Sequence, residues 1–318
     1  MTSATTSVAA VLSALSGKDF LSSADTTAEQ TAALLELASQ LKSGDRRIDL
    51  GNRVLGLIFT KASTRTRVSF QVAMARLGGQ TVDLNPQVTQ LGRGEPLEDT
   101  ARVLSRFCDV LAVRTFAQQE LADYAFWASI PVINALTDLE HPCQALADFL
   151  TMQEAFGDLQ GQTLTYVGDG NNVAHSLMLC GALLGVNVRI ACPDGFEPLP
   201  GVLDQARSLA VGGAEISVTT DPEAAVAGAQ ALYTDVWASM GQEQEQLERA
   251  QAFQGFCVNE ELLAKADSRA IVLHCLPAHR GEEISAEVME SSASRIFDQA
   301  ENRLHAQQAL LAALLGGL

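Results

Sequence analysis

The sequence of 318 residues has few of the features that mark extracellular, metal-binding or nucleic-acid-binding proteins. Its six cysteines include no Cys-x-x-Cys pair and no metal-ligand spacing, which predicts a reduced, cytoplasmic chain without a metal. Aromatic residues make up only 5%, too few for platforms that stack on bases. Basic residues number 21 against 38 acidic ones, and a net charge of −17 repels phosphate backbones. We therefore expect no nucleic-acid partner.

A long hydrophobic run is also missing. No stretch of eighteen apolar residues occurs, so we expect no membrane-spanning helix and no membrane partner. The apolar stretch near the N-terminus follows no positively charged region, and we expect no secretory signal. Hydrophobic residues at 47% and charged residues at 19% are typical of a globular protein, and the length predicts two domains.

Strand-like apolar runs alternate with segments of helical period along most of the chain. This alternation predicts an α/β fold with two domains, each a parallel sheet covered by helices. The predicted strands are Leu55–Phe59, Thr81–Asn85, Asp109–Phe116, Ile130–Leu136, Thr163–Gly168, Val186–Cys192, Glu215–Thr220, Ala231–Trp237 and Ala270–Leu276.

The segment 141–157 has a proline suited to a first helical turn and ends at glycine, which predicts a helix joining the domains. We place the first domain at 1–150, with a C-terminal helix of about 303–318 packing back on it, and the second at 151–302. Because ligands of parallel sheets bind beyond the carboxyl ends of the strands, we expect the chemistry to lie just after the predicted strands. We place the active site in the cleft between the domains.

Ser63, Thr64, Arg65, Thr66 and Arg67 follow the first strand and open a helix. Hydroxyl groups at a helix start are commonly plain caps. Two arginines beside the positive end of a helix, however, are unfavourable without an anion, and free N–H groups there bind phosphate. We therefore interpret the segment as a phosphate cradle.

Further polar residues stand at the ends of other predicted strands or at the starts of helices. Arg114 could clamp an oxyanion with two hydrogen bonds, and His141 and Gln144 could donate to a carbonyl or phosphoryl oxygen. Taken singly, each has an equally good structural explanation: a surface ion pair for the arginine, a helix cap for the histidine. Their shared location favours a joint function.

The glycine-rich stretch 168–172 follows a strand but lacks the full dinucleotide pattern G-x-G-x-x-G. Asp169 within it would oppose a pyrophosphate, whereas the carboxamide of Asn172 suits a zwitterionic small molecule. Asp235 ends another strand and could bind an ammonium group, and Ser239 and Met240 follow it in what we interpret as a mobile cover.

Cys275 ends the last predicted strand, beside the strand of Asp235, where contact with a ligand is more plausible than an inert core thiol. Arg303 adds a cation in the final helix.

Taken together, these stretches resemble the aspartate/ornithine carbamoyltransferase superfamily from about Lys18 onward. The segments that carry the resemblance are FTKASTRTR, HPCQ, the Asp235–Gly241 loop and HCLPAHRGEE. Ser-Met-Gly and His-Cys-Leu-Pro are similar to its ornithine branch. The resemblance implies a carbamoyl-phosphate-binding first domain, an ornithine-binding second domain, and a homotrimer or a multiple of trimers. The first seventeen residues extend beyond it.

The resemblance also implies a role for each matching residue. Arg67 is expected to be structural, paired with a carboxylate, and Gln90 to reach a neighbouring subunit's active site. Carbamoyl phosphate would be held by Ser63, Thr64, Arg65, Thr66, Gln90, Arg114, His141, Gln144, Cys275, Leu276 and Arg303. Ornithine would be bound by Asn172, Asp235, Ser239 and Met240.

The implied reaction, part of arginine metabolism, is carbamoyl phosphate plus L-ornithine to L-citrulline plus phosphate. Arg114 and His141 would stabilise the oxyanion, while Cys275 and Asp235 would orient the amine and take its proton. No metal or organic cofactor is required, because carbamoyl phosphate is already activated. Three alternatives stay open: a carbamoyltransferase for putrescine or an acylated ornithine, a dinucleotide-dependent oxidoreductase, and a non-catalytic binding protein.

Overall fold

A computed structural model describes residues 7–85, 94–238 and 246–318, without the side chains of Gln246 and Leu247. The chain divides into two compact units, which are described separately below. Unit 1 comprises Met1–Leu146 and Arg303–Leu318, and unit 2 comprises Ala147–Asn302. Within the described ranges, no helix is long and apolar enough to cross a membrane.

Unit 1 is built on a four-stranded parallel sheet in the order β2-β1-β3-β4. Its strands are β1 (Val54–Phe59), β2 (Gln80–Leu84), β3 (Val110–Arg114) and β4 (Val132–Leu136). Its helices are α1 (Val8–Leu12), α2 (Ala28–Ser43), α3 (Arg65–Arg76), α4 (Leu97–Leu104), α5 (Gln118–Trp127) and the first turns of α6 (Pro142–Phe156).

Local sequence signals set the ends of these helices. Thr27 and Gln30 form a capping box at the start of α2. Gly44 and Gly78 follow the ends of α2 and α3 with φ of +82° and +78°, a left-handed conformation that glycine adopts without strain. The strands β3 and β4 are buried throughout, as expected for a parallel sheet covered on both faces.

Unit 2 is built on a five-stranded parallel sheet in the order β7-β6-β5-β8-β9. Its strands are β5 (Thr163–Val167), β6 (Asn187–Ala191), β7 (Ile216–Thr219), β8 (Ala231–Thr234) and β9 (Ile271–His274). Its helices are α7 (Asn172–Leu183), α8 (Pro200–Leu209), α9 (Pro222–Val226), α10 (Gln246–Ala252), α11 (Glu260–Leu263) and α12 (Ala286–Met289); α13 (Ile296–Leu314) begins here and ends in unit 1.

The strand orders place two ligand-binding positions. In unit 1, β2 and β3 lie on opposite sides of β1, and in unit 2, β6 and β8 lie on opposite sides of β5. Such switch points, beyond the carboxyl ends of adjacent strands, are where open α/β sheets bind ligands. The segments after β1, β3, β5 and β8 therefore lie where a ligand is expected.

The predicted fold class is confirmed: both sheets are parallel and covered by helices. Each of the nine predicted strands overlaps an observed one, although β1 and β2 begin one residue earlier than predicted. The predicted helix at 141–157 is α6, and the boundary between the units falls inside it, after Leu146.

Candidate functional site

In unit 1, two guanidinium groups converge on one hydroxyl. β1 and β3 pair with Phe59 opposite Arg114, so the loop after β1 passes beside that arginine. Arg114 Nη1 donates to Thr66 Oγ1 at 3.4 Å, and Arg303 Nη2 donates to the same oxygen at 2.5 Å. Arg303 also donates to Gln144. All four side chains are buried, and the structure therefore concentrates positive charge at the start of α3.

The start of α3 differs from an ordinary capped helix. Thr64 occupies the N-cap position but makes no side-chain capping hydrogen bond. Capping therefore does not explain the hydroxyl of Thr64. The N–H groups of a first helical turn have no intrahelical partners and carry the positive end of the helix dipole. This end of α3, with Arg65 as its first residue, is suited to an anion.

His141 lies buried next to these cations. Burial lowers the pKa of His141 well below its usual value of 6.5, and the charges of Arg303, Arg114 and Arg65 lower it further. The imidazole is therefore neutral at pH 7 and can donate one N–H without adding charge. Burial raises the pKa of nearby Cys143 to about 12, so Cys143 stays a thiol and is not a nucleophile.

The neutrality of His141 predicts a pH dependence of stability. Below pH 6.5 the unfolded chain binds a proton at this residue while the folded chain does not, so acidification favours unfolding. We expect the free energy of unfolding to fall by roughly 1 kcal/mol because of this residue between pH 7.5 and 5.5. Urea denaturation at both pH values should show a loss smaller by that amount in His141→Gln. An equal loss in both proteins would contradict the prediction.

The neighbouring arginine of the same motif has a structural role. Arg67 forms an ion pair with Asp83 on β2, which confirms the expectation that it pairs with a carboxylate. Lys61, which the sequence did not single out, is buried, pairs with Asp138 and lies 4.1 Å from the ring centre of Phe116. These contacts fasten the segment on both sides of Ser63, which is half-buried.

In unit 2, the register of two strands brings a thiol against a carboxylate. Thr234 on β8 pairs with His274 on β9, so the next residues, Asp235 and Cys275, lie side by side. Cys275 Sγ donates to Asp235 Oδ1 at 3.0 Å. Asn171 Nδ2 donates to Asp235 Oδ2 at 3.4 Å, while Asn171 Oδ1 caps the start of α7. The buried carboxylate is thus held from two sides.

The chain around Cys275 is fixed by a histidine–glutamate pair. His274 Nδ1 accepts a hydrogen bond from the N–H of Leu276 at 2.8 Å, so its proton is on Nε2, 3.1 Å from Glu283 Oε1. Glu283 is fully buried and also accepts from the N–H of His279. Because its N–H is bound to His274, Leu276 would reach a substrate through its carbonyl oxygen.

This pair also bears on metal binding. Asp235, His274 and Cys275 place potential ligand atoms within 4.8 Å of one another. Both ring nitrogens of His274 are already engaged, however, so a metal would have to displace the Leu276 N–H or Glu283. The arrangement favours hydrogen bonding over metal coordination.

A buried ion pair tethers the polar loops of unit 2. Arg249 Nη1 donates to Asp169 Oδ2 at 2.7 Å and to the carbonyl oxygen of Trp237 at 2.8 Å, and its guanidinium lies over the ring of Phe196. Arg249 therefore links the glycine-rich loop after β5 to the chain after β8. The sequence predicted Asp169 as a charge that repels anions, but it did not predict the arginine that neutralises it.

Breaking this pair should destabilise unit 2. We expect Arg249→Met to lower the free energy of unfolding by about 3–5 kcal/mol, because Asp169 would stay buried without its counter-charge. Urea denaturation measures the change. Arg280→Met is the matched control, since the exposed pair of Arg280 with Glu290 should contribute less than about 1 kcal/mol. Adding Asp169→Asn to Arg249→Met should restore part of the loss, and a double variant no more stable than the single one would contradict the explanation.

The glycine-rich loop is not shaped for a dinucleotide. A Cβ atom on Gly170 would lie 2.3 Å from the nitrogen of Pro198 and 2.6 Å from the carbonyl oxygen of Phe196. In dinucleotide-binding loops the pyrophosphate approaches such a glycine. Here the chain itself occupies that position, and this argues against the oxidoreductase alternative.

Several predicted site residues have a less complete description. Gln90, Ser239 and Met240 lie outside the described residues. Asn172 begins α7 and is half-buried, one residue after Asn171, which makes the contact with Asp235. Asn171, Glu283 and Arg249 were missed because nothing in the local sequence shows which distant side chain each one meets.

Comparison with known proteins shows what the chain is similar to. Family models match both halves: the "carbamoyl-P binding domain" of aspartate/ornithine carbamoyltransferases over residues 18–154 and their "Asp/Orn binding domain" over 160–314. Ornithine carbamoyltransferase of Parasynechococcus marenigrum (strain WH8102) is 83% identical over all 318 residues, which is 100% of both chains. That of Trichormus variabilis is 64% identical over 96% of this chain and 99% of its own.

Solved structures give the same result. The ornithine carbamoyltransferase of Gloeobacter violaceus is 56% identical, with a TM-score of 0.86 over 93% of this chain and 98% of its own. The enzyme from Pyrococcus furiosus is 48% identical, with a TM-score of 0.91 over 96% and 99%.

Proposed function

Since the chain belongs to the aspartate/ornithine carbamoyltransferase family, we propose that it transfers the carbamoyl group of carbamoyl phosphate to the δ-amine of L-ornithine, releasing L-citrulline and phosphate. The observation that carries this proposal is the placement of Asp235 and Cys275 in contact after β8 and β9. A carboxylate beside a thiol is suited to a substrate with two amino groups, one to be held and one to be deprotonated.

The cationic residues of unit 1 would bind carbamoyl phosphate. The phosphate would lie at the start of α3, on its backbone N–H groups and the side chains of Ser63, Thr64 and Arg65. Arg114 and Arg303, which meet at Thr66, would neutralise its charge. Neutral His141 and the amide of Gln144 would donate to the carbonyl oxygen, where negative charge develops during the reaction.

The polar residues of unit 2 would bind ornithine. Asp235 would attract the ammonium groups, and Asn172, Ser239 and Met240 would contact the rest of the amino acid. The attacking amine must be neutral. With a lysine-like pKa of about 10.4, deprotonation at pH 7 costs about 4.6 kcal/mol. Asp235 and the thiol of Cys275 would orient this amine, and its proton would pass through the thiol to the carboxylate of Asp235.

The proposed transfer needs no oxidant or reductant. The δ-nitrogen forms a bond to the carbamoyl carbon, giving a tetrahedral oxyanion held by Arg114 and His141. The bond between that carbon and the bridging phosphate oxygen breaks, and phosphate leaves with the electron pair while it is held by the arginines. The proton from nitrogen passes to the sulfur of Cys275 as the thiol's own proton moves to the carboxylate of Asp235, which ends protonated.

We also propose that the chain acts as a homotrimer, or a multiple of trimers, in the cytoplasm. Two observations support this. Val68 and Val72 on α3 and Val82 on the edge strand β2 are 50%, 37% and 45% exposed, an apolar surface that a second copy could cover. The six cysteines are free thiols. Light scattering should give three times the chain mass of 33.8 kDa, or a multiple of that value; a monomer at micromolar concentration would refute the trimer.

The amine specificity tests the proposal against its nearest alternative. We expect product from carbamoyl phosphate with ornithine, and at least about 100-fold lower kcat/KM with an Nα-acylated ornithine or with putrescine. The acylated amine lacks the α-ammonium that Asp235 would attract, and putrescine lacks the α-carboxylate, which belongs to the part of the amino acid that Asn172 would contact. A preference for either of those amines would change the proposed amine substrate but would leave carbamoyl phosphate as the proposed donor.

A further inference from the structure

Unit 1 contains a second concentration of positive charge, away from the start of α3. A cavity of about 540 Å³ lies among the end of α2, the segment that follows it, the end of α3 and one residue of α13. Three of its lining residues are Arg46, Arg47 and Arg76. In a protein with 21 basic and 38 acidic residues, three arginines around one cavity need an explanation.

Ion pairs with acidic residues do not explain why these three arginines lie around one cavity. None of the three arginines forms an ion pair with any residue that the structure describes. The acidic residue in the lining, Asp49, instead accepts a hydrogen bond from the N–H of Gly51 at 2.8 Å. Like charges around one cavity repel each other unless an anion lies between them.

The dipoles of the neighbouring helices explain one arginine only. Arg76 is in the last turn of α3, where a cation is favourable. Arg46 and Arg47 lie three and four residues beyond the end of α2 at Ser43. The influence of a helix dipole is confined to its last turn, so it does not account for these two.

A buried amide gives an independent indication of a ligand. Gln308 on α13 also lines the cavity and is only 5% exposed. Its Oε1 atom has no hydrogen-bond partner among the described residues. Buried polar side-chain atoms normally have partners, and one that lines a cavity is expected to bond to what the cavity holds.

We propose that this cavity binds a phosphorylated small molecule. The phosphate would lie between Arg46, Arg47 and Arg76, Gln308 would hydrogen-bond to a polar group of the ligand, and Leu41 and Ile48 would contact its carbon skeleton. The volume is within the range of small-molecule sites. The site is distinct from the carbamoyl-phosphate residues, because Arg65 and Arg76 are at opposite ends of α3, roughly 16 Å apart along its axis.

Pyrophosphate is a suitable probe, with binding measured by isothermal titration calorimetry. The Arg114→Gln enzyme serves as background, since it weakens anion binding at the start of α3. We expect this background to bind one pyrophosphate per chain, and the further change of Arg46, Arg47 and Arg76 to alanine to weaken that binding at least 30-fold. Arg102, Arg106 and Arg280 changed to alanine in the same background are the control, with an equal change in charge and none of them in the cavity lining.

The control should change affinity less than threefold. Gln308→Glu, which keeps all three arginines but adds a negative charge to the lining, should weaken binding about tenfold and guards against a triple variant that does not fold. No pyrophosphate binding by the background at millimolar concentration, undiminished binding by the triple variant, or equal loss in the control would each overturn the proposal. In the wild-type background the triple variant should keep its citrulline-forming activity.

Discussion

Arg114→Gln is expected to lower kcat/KM for carbamoyl phosphate by about 1,000-fold. The guanidinium of Arg114 is buried at the end of β3 and directed at Thr66, the residue that Arg303 also contacts. Glutamine cannot supply its charge, and losing one partner of a desolvated charged interaction typically costs 2–5 kcal/mol, or about 30- to 5,000-fold. Steady-state kinetics with carbamoyl phosphate varied at saturating ornithine measures the effect.

Arg67→Gln provides the matched control for this experiment. Arg67 is two residues beyond Arg65 in the same motif, but its charge is already paired with Asp83. We expect its removal to change kcat/KM for carbamoyl phosphate by less than about fivefold, since a partly exposed ion pair contributes at most about 1 kcal/mol. Similar losses of kcat/KM in the two variants would mean that the charge of Arg114 matters no more for carbamoyl phosphate than that of Arg67. Unchanged kinetics in Arg114→Gln would show that Arg114 is not part of the site.

Asp235→Asn is expected to have the second large effect, a fall in kcat/KM for ornithine of about 100- to 10,000-fold. The change keeps the size of the side chain and its contact with Asn171, but removes the negative charge that would attract ornithine and receive its proton. Circular dichroism should show an unchanged fold, and the kinetics should be measured with ornithine varied. A variant with normal ornithine kinetics would contradict the assignment of the amine-binding group.

Cys275→Ala separates proton transfer from binding. We expect kcat to fall by about 10- to 100-fold with a smaller change in KM, because the thiol touches the carboxylate and carries no charge of its own. Cys192→Ala is the control: Cys192 follows β6 in the same sheet and is also buried.

The wild-type kcat/KM should rise from pH 6 to 9, since the reactive amine must lose a proton, and a flat profile would contradict this mechanism.

The sequence was sufficient for the sheets because burial on both faces leaves a clear pattern. The apolar runs Val110–Val113 and Ala270–Leu273 are each bounded by polar residues, and β3 and β9 lie where these runs do. Polar residues at strand ends were also informative, since parallel strands bring their carboxyl ends to one edge. The contact of Asp235 with Cys275 follows from that rule and from the pairing of β8 with β9.

Other parts of the site depend on contacts that no local pattern encodes. Arg249 meets Asp169 across 80 residues, and Arg303 meets Thr66 across 237. Asn171 and Asn172 are equivalent in the sequence, and only the capping geometry of α7 directs the first towards Asp235. Glu283 is in a polar segment typical of a surface, yet the folded chain buries it against His274.

The most direct measurement is the stoichiometry of products from the purified protein given ¹³C-labelled carbamoyl phosphate and L-ornithine. We predict one labelled citrulline, identified by mass spectrometry, for each phosphate released, and loss of both products in Arg114→Gln and Asp235→Asn. Phosphate released without citrulline, or citrulline formed at the wild-type rate by both variants, would contradict the account.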